Sequence, residues 1–269
     1  MKMKTPHRVK PHANVRLSHV SSNETGKYKS QQAANADLEK HRARLDQLQE
    51  LLAAESKHAV LVVLQGMDTA GKDGTIRHIF TGVNPQGCDV TPFKVPTPLE
   101  ARHDFLWRAH NAVPPHGKIG IFNRSHYEDV LVTRIHKLIT DKEAMARMEE
   151  IVRFEDMLVR NGVVILKFFL HISHQEQTRR LKERLSTPDK HWKMSEADFA
   201  ERRFWPDYQR AYEDVLSRTS RKHAPWFIVP SDHKWYRNVV ISEVMVEALR
   251  SLKMKYPQPS FDASKIRLR

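Results

Sequence analysis

Ala59-Val-Leu-Val-Val-Leu-Gln-Gly-Met-Asp-Thr-Ala-Gly-Lys-Asp-Gly-Thr75 decides the fold. Its first part, Ala59–Leu64, is a near-continuous apolar and β-branched run. Such a run bounded by glycine predicts a strand buried on both faces, as in a parallel sheet. The glycine-rich turn follows, and Thr75–Phe80 continues with helical spacing. Gly66, Gly71 and Lys72 satisfy G-x-x-x-x-G-K directly between a strand and a helix, which is the context this motif requires. Three of the chain's nine glycines lie here. Glycines let backbone N–H groups curl toward one point, and the helix N-terminus adds partial positive charge. Lys72 adds a full charge, so the segment predicts a phosphate site.

Outward from this stretch, strand and helix patterns alternate. Ser30–Ser56 is helical, with Leu38, Leu45, Leu48, Leu51 and Leu52 on one face. Cys88–Thr91, Lys118–Phe122, Val163–Leu170 and Trp226–Val229 read as further strands. Helices are predicted from Pro98 through Ala109, from near Ser125, over Asp141–Arg160, over Ser173–Leu185, over Ser195–Arg218 with Ser195 as cap, and over Trp235–Leu252. Alternation of this kind implies an α/β fold: three α/β/α layers around a parallel sheet of about five strands. Residues 1–28 are basic, rich in proline and histidine, and read as an extended arm. Residues 29–258 read as one domain and 259–269 as a tail.

The residue after Lys72 departs from the usual pattern. A serine or threonine there commonly helps to hold Mg²⁺; here it is Asp73, with Thr75 two positions on. Asp68, inside the loop, is a carboxylate suited to a hard cation and takes over as candidate metal ligand. At the end of the Lys118–Phe122 strand, where an acidic residue commonly faces the metal, stands the uncharged Asn123. Arg124 follows, within reach of a phosphate. Two roles stay open for Glu128: it can face the same cleft, or close an S-x-x-E capping box with Ser125. Asp129 reads as a solvated helix residue.

The Ser173–Leu185 helix is strongly basic. Arg180 and Arg184 stand four apart on one face, with Arg179 and Lys182 beside them. A basic helix followed by the polar loop 186–193 predicts a lid over about 173–194. Lids bring arginines to developing negative charge and exclude water. The competing reading is a solvated amphipathic helix with Leu181 and Leu185 inward.

The net charge is +13 over 269 residues. It steers polyanions toward the surface without naming one. The single Cys88 excludes an intramolecular disulfide, and no apolar stretch has the length of a secretory signal core or a membrane span. The expected location is the cytoplasm. Sixteen histidines show no H-E-x-x-H spacing, and aromatic residues do not interleave with basic ones as in an RNA-binding sheet.

Val60–Thr75, Phe122-Asn-Arg-Ser-His-Tyr-Glu-Asp-Val130, Arg179–Leu185 and Ala224-Pro-Trp226 together resemble the polyphosphate kinase 2 family, most closely its class III members. The likeness spans roughly residues 26–258. It implies a P-loop kinase core with a lid, Mg²⁺ (with Mn²⁺ as substitute), and phosphoryl transfer between inorganic polyphosphate and adenine nucleotides, with guanine nucleotides a further acceptor class. It implies that Asp68 and Lys72 match the family's loop residues and Arg124 its phosphate-facing arginine. Members acting on nucleoside diphosphates carry aspartate at the position of Asn123. Glu128 goes with acceptance of AMP as well as ADP.

The expected catalytic set is therefore Asp68, Lys72, Arg124, Arg180 and Arg184. Gly66, Ala70, Gly71, Asp73, Gly74, Thr75, Asn123, Glu128, Arg179 and Lys182 are expected to bind substrate. A homo-oligomer is expected, with Ser30–Ser56 and the C-terminal helices as candidate interface, and no membrane or specific nucleic-acid partner. The rival functions are an ATP-dependent nucleotide kinase and a nucleic-acid-binding protein with a vestigial loop.

Overall fold

The computed structural model describes residues 7–194, 196–262 and 266–267. The central strands are β1 (Ala59–Gln65), β3 (Ile119–Asn123) and β4 (Val163–His171), flanked by β2 (Cys88–Pro92) and β5 (Trp226–Pro230). All pair in parallel, in the order β2-β3-β1-β4-β5. The apolar run of β1 is buried at every position, because a parallel neighbour lies on each edge and helices cover both faces. β2, at the edge, is largely exposed.

The helices are α1 (Gln31–Glu55), α2 (Lys72–Ile79), α3 (Trp107–Asn111), α4 (Val132–Ile135), α5 (Asp141–Arg160), α6 (His174–Leu185), α7 (Glu196–Glu201), α8 (Trp205–Thr219) and α9 (Lys234–Ser251). α1 packs on α9, and α5 on α8. The α1–α9 contact means that the two helices expected to form a subunit interface cover part of each other within the chain. Caps set several boundaries: Ser30 Oγ accepts from Ala33 N, and Thr140 closes a capping box with Glu143 at the start of α5.

Three predicted helices form differently. The Pro98–Ala109 stretch breaks into a 3₁₀ turn, Glu100–Arg102, and the short α3. Thr97 and Glu100 bond reciprocally and Asp104 Oδ1 accepts from Leu106 N, so side chains compete for the backbone and stop one helix from propagating. Near Ser125 the chain forms a 3₁₀ turn, His126–Val130, before α4. The predicted Ser195–Arg218 helix is divided into α7, a 3₁₀ turn over Arg202–Phe204, and α8, which begins at Trp205-Pro206, where a residue without N–H suits a helix start. The cap predicted at Ser195 lies outside the described residues.

The N-terminal stretch does more than extend. Arg8 pairs antiparallel with Phe227, Val9 N donates to Trp226 O and Ile228 N to His7 O, closing the exposed edge of β5. Among the described residues no helix is long and apolar enough to cross a membrane.

Candidate active site

The register of the sheet assembles the site. Leu64 of β1 lies opposite Asn123 of β3, and Arg124 N donates to Leu64 O at 3.0 Å. The loop after β1 and the segment after β3 therefore leave the sheet side by side at its carboxyl end, where open α/β sheets bind ligands. Gly66 is required by close approach, since a Cβ there would lie 2.9 Å from Leu170 O. Gly71 has φ +104° at the start of α2, a conformation that side chains disfavour. Thr69 and Arg124, one on each bank, also have positive φ, at 62° and 60°. Such backbone strain is held by the surrounding structure.

Lys72 is 9% exposed, and its Nζ donates to Gly66 O at 2.9 Å and lies 3.4 Å from Met67 O. Burial, and then the nearby Arg124, push its ammonium down to about 8, against the pull of Asp68, Glu128 and Asp73. Asp73 accepts from Asn123 Nδ2 at 2.7 Å, tying the two banks together. Thr75 is buried, and its hydroxyl finds no hydrogen-bond partner. Asp68 Oδ2 is likewise buried without a hydrogen bond, with Arg184 Nη1 3.6 Å away.

Glu128 forms no capping box. Ser125 Oγ instead accepts from Tyr127 N and Gln65 Nε2, and Glu128 is half-buried and stands outside the lining of the cleft. Burial raises its pKa, opposed by Arg124 and Lys72. Asp129 is not solvated: it is buried and pairs with Arg108 Nη2 at 3.0 Å. The whole segment is anchored from behind. Tyr127 Oη donates to Glu155 Oε1 at 2.8 Å, and Lys167 Nζ reaches Glu155 Oε2 at 2.5 Å and Tyr127 Oη at 3.0 Å.

The basic helix, α6, is placed differently from the expectation. Gln177 Nε2 donates to Asp68 O, and Arg180 Nη1 to Thr69 O and Ala70 O at 3.0 and 3.1 Å. Arg180 also donates to Ser231 O, Asp232 O and Glu176 Oε1. Its five N–H donors are thus occupied by the protein, and Arg180 also lines the cleft beside the loop. These bonds tie the first two turns of α6 to the loop. Arg179 faces outward, paired with Glu176 and Glu183, and Lys182 is exposed away from the cleft. Neither stands where it touches a ligand there. Arg184 does line the cleft.

The cleft has a volume of about 630 Å³. Besides Asp68, Lys72, Asp73, Asn123, Arg124, Arg180 and Arg184 it is lined by Arg77, Lys94, Lys234 and Arg237, which the motifs do not reveal. Arg237 is 1% exposed, and its Nη1 donates to Ala70 O at 2.9 Å across a separation of 167 residues. Cations outnumber carboxylates around the cleft, so the arrangement suits a polyanion.

A Mg²⁺ ion fits this donor set. Asp68 Oδ2, buried without a hydrogen bond and facing Arg184 at 3.6 Å, is a hard anionic ligand, and Mg²⁺ is commonly held by one or two carboxylates together with substrate phosphates and water. Among the described residues no three His, Cys, Asp or Glu side chains cluster as a self-sufficient metal cage.

The family model described as polyphosphate kinase 2 matches residues 28–257. The chain is 48% identical over 261 residues to the AMP/ADP-polyphosphate phosphotransferase of Meiothermus ruber, covering 97% of this chain and 98% of that one. It is 45% identical over 243 residues to the ADP-polyphosphate phosphotransferase of Rhodopseudomonas palustris, covering 86% and 84%. The crystal structure of polyphosphate kinase 2 from Arthrobacter aurescens superposes with a TM-score of 0.91 at 38% identity, covering 97% of both chains.

Proposed function

The chain belongs to the polyphosphate kinase 2 family, and we propose that it moves the terminal phosphoryl group of inorganic polyphosphate to AMP and to ADP, reversibly, through the cleft between the glycine-rich loop and Asn123-Arg124. The observation that carries the site assignment is the ring of cations around the loop, with Lys72 buried at its centre.

A phosphate oxygen of the acceptor attacks the terminal phosphorus of the chain. A new P–O bond forms, the bridging P–O bond breaks, and the shortened chain departs with the electron pair. The acceptor oxygen is already deprotonated, so little general-base help is needed. Positioning and charge neutralisation carry the rate. Lys72 and the amides of Gly66–Thr75 hold the reacting phosphates. Arg124 and Arg184 approach the transferred group. Asp68 would hold Mg²⁺, or Mn²⁺ in its place, which when bound supplies charge stabilisation to the phosphate oxygens. Glu128 orients the smaller acceptor, AMP, beside Arg124.

Incubation with Mg²⁺, polyphosphate and AMP, without ATP, should yield ADP and then ATP. No product from either AMP or ADP would contradict this function. Turnover of AMP only when ATP is supplied would favour an ordinary nucleotide kinase.

A further inference from the structure

Arg237 lies in the first turn of α9, far from the motif in sequence, yet directly against the loop. A Cβ on Gly71 would fall 2.0 Å from Arg237 Nη1 and 3.1 Å from Cζ, and one on Gly74 would fall 3.6 Å from Nη2. The guanidinium thus occupies the space that a side chain at residue 71 would need. Ala70 O accepts from two guanidinium groups, Arg237 Nη1 at 2.9 Å and Arg180 Nη1 at 3.1 Å. The other hydrogen bonds of Arg237 go to the neutral Asn238 Oδ1, from Nε at 3.1 Å and Nη2 at 2.9 Å. Arg180 has Glu176 as ionic partner, whereas the hydrogen-bond acceptors of Arg237 are all uncharged.

Two consequences follow from elementary geometry and electrostatics. A peptide plane points its C=O and N–H in opposite directions. With Ala70 O drawn onto two guanidinium groups, the Gly71 N–H is turned away from them. A buried cation without a carboxylate is also costly unless something nearby supplies negative charge. Burial, and then Arg180, lower the Arg237 pKa to about 9. The cleft that Arg237 lines is where that charge would come from.

We propose that Arg237 is a positioning residue for phosphate binding: it fixes the Ala70–Gly71 peptide so that the Gly71 amide serves the bound phosphate chain, and the chain completes its charge. This rests on the assignment of the loop to phosphate. Arg237 acts through the loop backbone and its field, not by touching the reacting atoms.

The test compares wild type, Arg237→Met and Arg237→Lys for tripolyphosphate binding by calorimetry, for steady-state turnover of polyphosphate with AMP, and for Tm. Arg237→Met should weaken tripolyphosphate binding about 30-fold or more and raise the KM for polyphosphate in parallel, while the KM for AMP moves less than about threefold. Arg237→Lys, which keeps the charge and one donor, should recover most of the loss. If Arg237→Met does not fold, Arg237→Gln, with a donor but no charge, should show the same selective loss. Wild-type affinity in Arg237→Met, or equal losses on both substrates that track Tm and are not rescued by lysine, would overturn the proposal. Failure of the wild type itself to bind tripolyphosphate would instead bring down the phosphate assignment of the loop, and this inference with it.

Discussion

Two buried lysines, Lys72 at the loop and Lys167 on β4, show what separates a site from a scaffold. Lys167 is fully buried and spends its three donors on Glu155 Oε2, Tyr127 Oη and Thr219 O, at 2.5, 3.0 and 2.9 Å. The rings of Tyr127 and Trp226 add cation–π contact. Lys72 is nearly as buried, but its hydrogen bonds go to the carbonyls of Gly66 and Met67. Beside it Arg180 and Arg237 share the carbonyl of Ala70. Burial is common to both regions; the difference is the partner. Lys167 is complete within the chain, whereas Lys72 and Arg237 have only uncharged hydrogen-bond acceptors until a ligand brings negative charge.

The largest effect that could break this comparison is on turnover. Lys72→Met should lower kcat by about 10³-fold, the scale of removing one preorganised transition-state charge, without lowering Tm. Near-normal turnover would remove Lys72 from the site. Lys167→Met should do the reverse: it strands the Glu155 carboxylate in the core and should cost about 3 kcal/mol in denaturant unfolding. The double variant Lys167→Met with Glu155→Met should recover much of that, because no buried charge is then left unpaired. A single variant as stable as wild type would contradict the scaffold role.

A smaller effect sharpens the contrast through pH. Lys72 titrates near 10.5 when unfolded and about 8 in the folded, ligand-free protein. Between those values the unfolded chain holds more protons, so stability rises with pH across the window. The Lys72 share should reach about 2 kcal/mol by pH 9.5. It would be read as the wild-type slope minus that of Lys72→Met; identical slopes would refute it. The smallest effect concerns the far bank. Glu128→Asn should reduce kcat/KM for AMP relative to ADP by about tenfold, or about 1.4 kcal/mol. Equal losses on both acceptors would return Glu128 to a structural role.

What could be read from the chain followed from how local each feature is. The β1 run, the loop and α2 form one continuous segment whose pattern carries its own meaning. α5 was legible over Asp141–Arg160, and a local box between Thr140 and Glu143 caps its start. Arg180 was visible as a cation on a helix face, but what met that face was not, so it read as a mobile catalytic arginine rather than a clamp on Thr69 and Ala70. Glu128 had a local explanation in Ser125, but Ser125 Oγ is taken by Tyr127 N and Gln65 Nε2, the latter 60 residues away in sequence. Arg237 carried no motif at all, and its only trace in the loop is that residue 71 must be glycine. The lone arm over residues 1–28 looked merely extended, because edge pairing such as Arg8 with Phe227 leaves no periodicity to read.

Proton uptake on phosphate binding tests the central contrast most directly. At pH 9 the ligand-free Lys72 is largely neutral, and a bound phosphate chain should restore its proton. Calorimetric titration with tripolyphosphate in buffers of different ionisation enthalpy should show net proton uptake by the wild type, clearly reduced in Lys72→Met and unchanged in the Lys167→Met, Glu155→Met double variant. Tight binding by the wild type with no proton uptake would contradict the view that phosphate completes the buried cations of the loop.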